Sequence, residues 1–457
     1  MSNVLTPAFG RRTTAAPPAA ARPAAPQGGA PSAPVADALS PVALLRAACL
    51  AQIDPAAVTG MTPERLAVEV EKLLSEIATD QRIQLNAREQ RQLAGELVHD
   101  MLGLGPLEPL LEDETITDIM VNGPERVFVE RRGKVVLSDT KFRDATHVAN
   151  ISQRIASAIG RRVDESSPLV DARLKDGSRV NIVFPPLALD GPYISIRKFS
   201  KKAIDFEKLI GFGSLTAPVA RVLEIAGRAR MNVIISGGTG SGKTTMMNAM
   251  SRLIDPGERV VTIEDAAELQ LQQPHVVRME TRPMSLEGRG EITQRDLIKN
   301  ALRMRPDRII VGEVRGAEAF DMLQAMNTGH DGSMSTIHAN TARDAVTRIE
   351  NMVMMGNMGL PSKAIITQIV GAVDIIVQIE RQRDGVRRVT QVTDVFGMEG
   401  ETVILNDIFA LAIDGETTAG RLSVRYKANR SRPSFHTRLA YFGLDRAWQA
   451  ALEEAET

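Results

Sequence analysis

The sequence predicts an α/β fold: a C-terminal domain with a mostly parallel sheet follows an α+β domain and a small helical domain. From residue 215 to about residue 380, apolar β-branched runs alternate with helical patterns, which is typical of parallel strands with crossover helices. Residues 111–200 contain short runs in which apolar and polar residues alternate, as in antiparallel sheets. Residues 41–110 show helical spacing.

Bulk composition excludes several classes of protein. The chain has 457 residues and a net charge of −1, so it is long enough for several domains and is not a globally basic nucleic-acid binder. Its single cysteine, Cys49, excludes an internal disulfide and any multi-cysteine zinc site, and fits a reducing, cytosolic compartment. The first 30 residues lack the apolar segment of a secretory signal. The long apolar stretch at 364–379 contains Gln368, Asp374 and Gln378, which predicts a buried helix or strand rather than a membrane span.

The N-terminal region divides into a tail and a helical domain. Residues 1–40 contain 12 Ala and 7 Pro and are expected to be disordered. Thr62 and Pro63 are suited to the N-cap and first position of a helix whose apolar residues recur at helical spacing. A second helix is expected to end at Gly103. We therefore predict a helical domain over 41–110.

The next segment predicts an α+β domain over 111–200. The runs ITDIMVN, RVFVER, KVVLSD, SRVNIVFPP and YISIRKF are expected strands, and ATHVANISQRIASAIGRRV is an expected helix. Arg132-Gly133 would form the turn of a hairpin. Residues 201–214, which include Gly211 and Gly213, have the character of a linker and would serve as the hinge between domains.

A phosphate-binding loop is the strongest motif. A predicted strand, Val233–Ile235, precedes the pattern G-x-x-x-x-G-K-[ST], and a helical run follows it. Successive backbone N–H groups in such a loop converge on phosphate oxygens, and the helix N-terminus adds positive potential. Lys243 would bridge the β- and γ-phosphates of ATP, while the Thr244 hydroxyl would coordinate Mg²⁺. The nucleotide-binding residues predicted here are Gly237, Gly238, Thr239, Gly240, Ser241, Gly242, Lys243, Thr244 and Thr245.

Three acidic residues follow a second predicted strand, Val260–Ile263. Glu264, Asp265 and Glu268 come at its carboxyl end, where parallel sheets bind their ligands. They could order the shell of a Mg²⁺ ion or polarise the attacking water. Alternatively, they decorate a helix N-terminus and favour its dipole.

A third strand ends in the stretch DRIIVGEVRG. Glu313 follows the apolar run and could orient or deprotonate a water molecule for attack on the γ-phosphate. Gly312 stands where many nucleotide hydrolases have a second acid, and its small size would leave space beside the metal. The alternative is a core strand that ends in a solvated glutamate.

Two histidines lie close together in the sequence. His330 and His338 flank a predicted strand, but a separation of eight residues without a nearby cysteine does not favour zinc. His338 would sit at the strand end beside the γ-phosphate, where it could sense the nucleotide. A structural role remains open for both histidines.

Several arginines could neutralise γ-phosphate charge from another domain or subunit. Surface ion pairs are the alternative for each of them. The candidates are Arg173, Arg179, Arg197, Arg282 and Arg315.

Four blocks in this order resemble the secretion ATPase superfamily that powers type II and type IV secretion and type IV pili. They are GGTGSGKTT, TIEDAAE, RPDRIIVGEVRG and TGHDGSMSTIHAN, similar to its Walker A, Asp box, atypical Walker B and His box. VDARLKDGSRVN, RKFSKK and ETRP look closest to the tight-adherence (Tad, or Flp) pilus branch, the CpaF proteins. The resemblance covers roughly residues 50 to 440. The four-cysteine zinc module of the pilus-extension branch is absent.

The resemblance implies a RecA-like ATPase domain over 215–457 and a PAS-like α+β domain before it. It makes Glu313 the water-activating residue, Glu268 its partner and, with Thr244, a Mg²⁺ ligand, and it places both histidines near the γ-phosphate. It further implies a homo-hexameric ring in which Arg173, Arg179 and Arg197 close over ATP. Such a ring would drive pilus assembly, alone or together with retraction, through an inner-membrane platform protein. The protein would then be cytoplasmic and peripheral at the inner membrane, without a nucleic-acid partner.

Two other classes of function remain open on the sequence. A nucleic-acid translocase could use a similar ATPase core, although an aromatic content of 4% supplies few stacking platforms. A nucleotide-sensing scaffold would bind ATP without turnover.

Overall fold

The computed structural model describes residues 41–53, 60–131, 133–174, 176–199, 204–282, 284, 289–356, 359–417 and 420–455. The chain divides into two compact units, the first ending at Leu102 and the second beginning at Gly103. The tail at 1–40, which we expected to be disordered, lies outside the described residues. Within the described ranges, no helix is long and apolar enough to cross a membrane.

The first unit is helical. Its helices are α1 (Pro41–Gln52), α2 (Pro63–Asp80) and α3 (Ala87–Leu102). The Thr62 hydroxyl oxygen accepts a hydrogen bond from the N–H of Arg65 and caps α2, as the sequence predicts. Leucines at helical spacing, such as Leu74 and Leu97, pack with Cys49 in one apolar core.

The second unit begins with an antiparallel sheet of six strands. The strands are β1 (Ile116–Asn122), β2 (Val127–Arg131), β3 (Lys134–Leu137), β4 (Leu169–Arg173), β5 (Arg179–Val183) and β6 (Tyr193–Arg197), in the order β3-β2-β1-β6-β5-β4. Helix α5 (Ala145–Ala158) packs its apolar face on this sheet. A 3₁₀ turn (Gly105–Leu107) and helix α4 (Glu108–Glu112) precede β1. Leu107 and Leu110 lie in the core of this sheet, although we assigned them to the helical domain; the other domain boundaries stay predictions.

The rest of the second unit is built on a sheet of nine strands. They are β7 (Val233–Gly237), β8 (Val260–Glu264), β9 (Val276–Glu280), β10 (Arg308–Val311), β11 (Met334–Ile337), β12 (Ile375–Arg381), β13 (Arg387–Glu399), β14 (Thr402–Glu416) and β15 (Leu422–Ala428). Their order is β15-β14-β13-β12-β7-β11-β10-β8-β9. The six neighbouring strands β12, β7, β11, β10, β8 and β9 pair in parallel, as expected. Strands β13, β14 and β15 extend the sheet beyond β12 by antiparallel pairing.

Helices cover both faces of the nine-stranded sheet. Helices α6 (Phe206–Gly211), α7 (Ala217–Arg228), α8 (Lys243–Ser251), α13 (His436–Tyr441) and α14 (Asp445–Glu454) contribute to one apolar core. Helices α9 (Gln294–Ala301), α10 (Glu318–Asn327), α11 (Ala342–Met355) and α12 (Ser362–Ala372) contribute to the other. This doubly wound arrangement leaves the carboxyl ends of β7, β8, β10 and β11 at one edge, which is where such sheets bind ligands.

The predicted linker and the long apolar stretch have more secondary structure than the sequence indicated. The range 201–214, which we expected to be a linker, contains α6, and its Phe206 and Leu209 are buried in the core with the nine-stranded sheet. The apolar stretch at 364–379 was predicted to be a buried helix or a buried strand. Its first half lies in α12 and its second half in β12, so both alternatives are correct for part of it. Asp374 separates them, since its carboxylate accepts hydrogen bonds from the N–H of Asn232 (2.8 Å) and from Arg438 (2.7 Å).

Candidate active site

The phosphate-binding loop connects β7 to α8. Gly240 and Gly242 have φ of 68° and 103°, a region that favours glycine. The helix begins at Lys243, two residues earlier than the sequence pattern indicated. A side chain at Gly237 would collide with the carbonyl oxygen of Ile379 on the neighbouring β12. Backbone geometry therefore requires these glycines.

Lys243 is folded back over this loop. Its ammonium donates to the carbonyl oxygens of Gly237 and Gly238, each at 3.0 Å. Burial lowers the pKa of Lys243, while the charge of Glu313 opposes that shift. The ammonium is thus held at the predicted phosphate-binding loop.

Glu313 lies at the centre of a polar cluster. Its Oε1 is 2.6 Å from Nε2 of His338, and its Oε2 accepts a hydrogen bond of 2.9 Å from Nε of Arg315. Nε2 of His338 is also 3.2 Å from the Lys243 ammonium. Burial and the Lys243 charge lower the pKa of His338, so its neutral form is favoured. A neutral Nε2 can donate to Glu313 or accept from Lys243, but not both.

The space beside Gly312 is occupied by Glu264. A Cβ at position 312 would lie 2.8 Å from Cγ of Glu264. Oε2 of Glu264 accepts hydrogen bonds from the backbone N–H groups of Glu268 (2.7 Å) and Leu269 (2.8 Å). Burial raises the pKa of Glu264 to about 7. Our expectation of free space for a metal beside Gly312 is therefore wrong, because the Glu264 side chain from the neighbouring strand fills that space.

Three of the candidate arginines line one cavity of about 230 Å³ together with α8, the helix that follows the phosphate-binding loop and is called the loop helix below. Arg173, Arg179 and Arg197 of the six-stranded sheet face this cavity, whose wall on the other side includes Thr244, Thr245, Asn248 and Glu268. Each arginine also lies close to a carboxylate: Arg173 at 2.8 Å from Glu280, Arg179 at 3.3 Å from Asp171 and Arg197 at 3.3 Å from Asp118. The arginines thus reach the nucleotide-binding helix within a single chain.

Other candidates lie away from this cluster. His330 precedes β11 and His338 follows it, so the two histidines lie at opposite ends of the strand. Nδ1 of His330 is 3.1 Å from the carbonyl oxygen of Ala325 at the end of α10. The Arg282 guanidinium donates to the carbonyl oxygen of Gly290 at 2.6 Å. Asp265 forms an ion pair of 3.9 Å with Arg315 at the edge of the cluster.

The donor set fits a Mg²⁺ ion held together with phosphates. Thr244 and Glu268 line the same cavity, on the loop helix and on the segment that Glu264 anchors. In the parts of the chain that the structure describes, no three His, Cys, Asp or Glu side chains are grouped as a metal site. Mg²⁺ needs no such cluster, because it usually keeps several waters and is bound by one or two protein oxygens and by phosphates.

Sequence reasoning missed several residues of the site. Asn248 lines the cavity and its Oδ1 accepts a hydrogen bond from the N–H of Gln270 at 2.9 Å. A second cavity, of about 270 Å³, adjoins the other side of the loop helix and is lined by Ser241, Gly242, Thr245, Met246, Phe212, Val386 and Arg387, among others. Of these, Ser241, Gly242 and Thr245 belong to the predicted loop, whereas no local pattern marks Asn248, Phe212 or Arg387.

Comparison with known proteins identifies the family. Residues 100–400 match the family described as type II/IV secretion system protein. A putative conjugal transfer protein of Mycobacterium tuberculosis is 39% identical over 307 residues, which cover 66% of this chain and 87% of that protein. The type IV secretion system protein PtlH of Bordetella pertussis is 34% identical over 65% of this chain and 94% of its own length. The crystal structure of the VirB11 ATPase from the Brucella suis type IV secretion system is 30% identical, over 63% of this chain and 95% of that chain, with a TM-score of 0.35. With the family match spanning most of the chain, this protein is an ATPase of the type II/IV secretion system family.

Proposed function

We propose that this ATPase is the hexameric motor of a tight-adherence (Tad) pilus, acting on an inner-membrane platform protein from the cytoplasmic face. The observation that best supports a hydrolytic motor is the cluster in which Arg315 donates to the carboxylate of Glu313 and His338 lies between that carboxylate and Lys243. The residues that suggest the Tad branch are those of VDARLKDGSRVN and RKFSKK, which include the three arginines of the first cavity.

The side chains divide the chemistry between them. The loop N–H groups and Lys243 would bind the β- and γ-phosphates of ATP, and Thr244 with Glu268 would hold Mg²⁺, which neutralises developing phosphate charge when bound. Glu313 would orient the attacking water and accept its proton. Arg315 donates to one oxygen of the Glu313 carboxylate, and Nε2 of His338 lies 2.6 Å from the other.

Movement of the six-stranded sheet would couple this chemistry to work. Arg173, Arg179 and Arg197 face the loop helix across the first cavity, so a bound γ-phosphate would draw them towards it and its release would let them separate. In a ring of six chains, such closures would displace neighbouring subunits and the platform protein in turn.

The decisive experiment compares hydrolysis by the wild type, Glu313→Gln and Lys243→Ala under conditions in which light scattering shows the oligomer. We expect Glu313→Gln to bind ATP and to lower kcat by roughly 10²–10⁴-fold, and Lys243→Ala to lose ATP affinity. Equal rates for the wild type and Glu313→Gln would exclude the motor. Complementation of a pilus-deficient strain that lacks its own motor then tests the Tad assignment, with Glu313→Gln as the matched inactive control.

A second candidate follows from the relatives. Proteins named as conjugal transfer proteins are among those most similar to this chain, which favours an ATPase of a type IV transfer system as the alternative. Strong stimulation of hydrolysis by DNA, without stimulation by membranes that contain the pilus platform protein, would support this alternative over the pilus motor.

A further inference from the structure

A rigid hairpin lies beside the phosphate-binding loop. Strands β12 and β13 are joined by a tight turn in which Gly385 has a φ of 82°. Asp384 in this turn forms two hydrogen bonds of 2.8 Å with Arg388 and accepts a third from the N–H of Leu422 on β15. The Asp384 and Arg388 side chains are buried. The turn is therefore held in place by charged groups that do not face the nucleotide-binding loop.

Two other arginines of the hairpin stand directly opposite each other. Arg381 and Arg387 are partners in the β12–β13 register, so their side chains project from the same face. Nε of Arg387 donates to the carbonyl oxygen of Gly240 in the phosphate-binding loop at 2.7 Å. A terminal nitrogen of Arg381 donates to the carbonyl oxygen of Gly133, which lies between β2 and β3, also at 2.7 Å.

Within the described parts of the chain, these two guanidinium groups lack the ion pairs that their neighbours have. Arg383 pairs with Glu416 and Arg388 with Asp384. Among the described residues, Arg381 and Arg387 have main-chain carbonyls as their acceptors and no carboxylate within 4.0 Å. Because like charges directly opposite one another destabilise a strand pair, this arrangement favours an anion close by.

The position of Arg387 determines which part of a nucleotide it can reach. Its Cδ lies 3.5 Å from the position that a Cβ of Gly242 would occupy. Arg387 lines the second cavity with Thr245, Met246 and Val386. Glu313, His338 and Arg315 do not line this cavity. Arg387 is therefore separated from these three side chains and would lie away from a γ-phosphate on which Glu313 acts.

Resting on the proposed ATPase function, we propose that Arg387 is a further nucleotide-binding residue, which donates from its terminal NH₂ groups to the α-phosphate of bound ATP or ADP. Nε remains on the loop carbonyl and orients the guanidinium plane. The apolar part of the second cavity, which includes Phe212, Met246 and Val386, accepts the adjoining nucleoside. Arg387 thus binds the part of the nucleotide that is common to substrate and product.

The test is equilibrium binding of MgATP and MgADP to the full chain, measured by calorimetry for the wild type, Arg387→Gln and Arg387→Lys. Arg381→Gln is the matched control, since it removes an identical charge from the opposite strand. We expect Arg387→Gln to weaken ATP and ADP by the same factor, about tenfold, Arg387→Lys to weaken both less, and Arg381→Gln to change neither by more than about twofold. The ADP affinity of Arg387→Gln should also depend less on salt concentration, because the positive side chain that contacts the phosphate is lost.

Several results would overturn this assignment. Wild-type affinities in Arg387→Gln exclude a contact, and a loss for ATP without a loss for ADP moves the contact to the γ-phosphate. An unchanged salt dependence with weaker binding would mean that Arg387 only shapes the loop through Gly240. If the wild type itself binds no ATP, the proposed ATPase function fails before Arg387 is at issue. Equal melting temperatures of the four proteins without nucleotide establish that the comparison is between folded chains.

Discussion

Replacing Gly312 by alanine perturbs the contact between β8 and β10 at the edge of the sheet. The new methyl group would lie 2.8 Å from Cγ and 3.4 Å from Cβ of Glu264. The first distance is shorter than an ordinary van der Waals contact, which begins at about 3.4 Å. The Glu264 side chain cannot simply turn away, because its carboxylate is held by the N–H groups of Glu268 and Leu269. Its backbone is fixed as well, since β8 pairs with both β10 and β9.

The cost follows from these contacts. Forcing a methyl group into a packed site costs roughly 1–3 kcal/mol, and weakening hydrogen bonds to a buried carboxylate adds about 1.5–3 kcal/mol. Replacing glycine by alanine also lowers the conformational entropy of the unfolded chain, which stabilises the folded state by about 0.4–1 kcal/mol. We therefore expect Gly312→Ala to lower the free energy of unfolding by about 2–4 kcal/mol. Displacement of the segment that Glu264 anchors should also weaken Mg²⁺-dependent ATP binding at Glu268.

Urea unfolding of Gly312→Ala, Glu264→Ala and the double variant measures this contact as a double-mutant cycle. In the Glu264→Ala background the methyl group has room, so the penalty of Gly312→Ala should fall below about 1 kcal/mol. Gly211→Ala is the control, because Gly211 ends α6 and a Cβ added there would have no heavy atom within 4 Å. The reasoning fails if Gly312→Ala is as mild as Gly211→Ala, or if its penalty persists without the Glu264 side chain.

Two further predictions concern buried charged groups. The folded pKa of Glu264 is about 7 and its ordinary value 4.5, so its neutral form contributes stability that is complete below pH 4.5 and is lost as pH rises through 7. Relative to Glu264→Gln, the wild type should thus lose about 3 kcal/mol of unfolding free energy over this interval; parallel pH profiles would contradict the shift. Arg308, which is 2% exposed, forms a bidentate pair with Glu258. Glu258→Ala should cost about 3–5 kcal/mol in urea unfolding because it strands a buried charge, and Glu258→Gln should cost less; a loss below about 1 kcal/mol would show that Arg308 finds another partner.

Local patterns in the sequence were sufficient for much of the architecture. The alternation of strands and helices after residue 215 predicted the parallel part of the nine-stranded sheet, because burial on both faces demands apolar strands. The glycines and Lys243 predicted the phosphate-binding loop, since its backbone conformation permits few other residues. The sequence analysis did not predict the antiparallel strands β13 to β15. Their buried and exposed residues do not alternate regularly, so the local pattern does not mark them as strands.

The candidate site was predicted in its residue types and only partly in its arrangement. His338 and Glu313 come together because both follow parallel strands that end at one edge of the sheet. The same topology separates His330 from them, since it precedes the strand that His338 follows. Arg282 carries the same charge as Arg173, yet its guanidinium is engaged by the carbonyl of Gly290. Such differences depend on how each segment folds and not on residue type alone.

The sequence by itself determined where the phosphate-binding loop motif lies and which strands carry carboxylates, because backbone conformation and strand burial are local constraints. Only the tertiary structure decided why position 312 is glycine. The answer lies 48 residues earlier, in a Glu264 side chain that occupies the space a larger residue would need. It also decided which arginines face the loop helix, since that depends on how the six-stranded sheet packs and not on any spacing within it. Contacts between distant segments are set by packing, and packing is absent from a pattern of residue types.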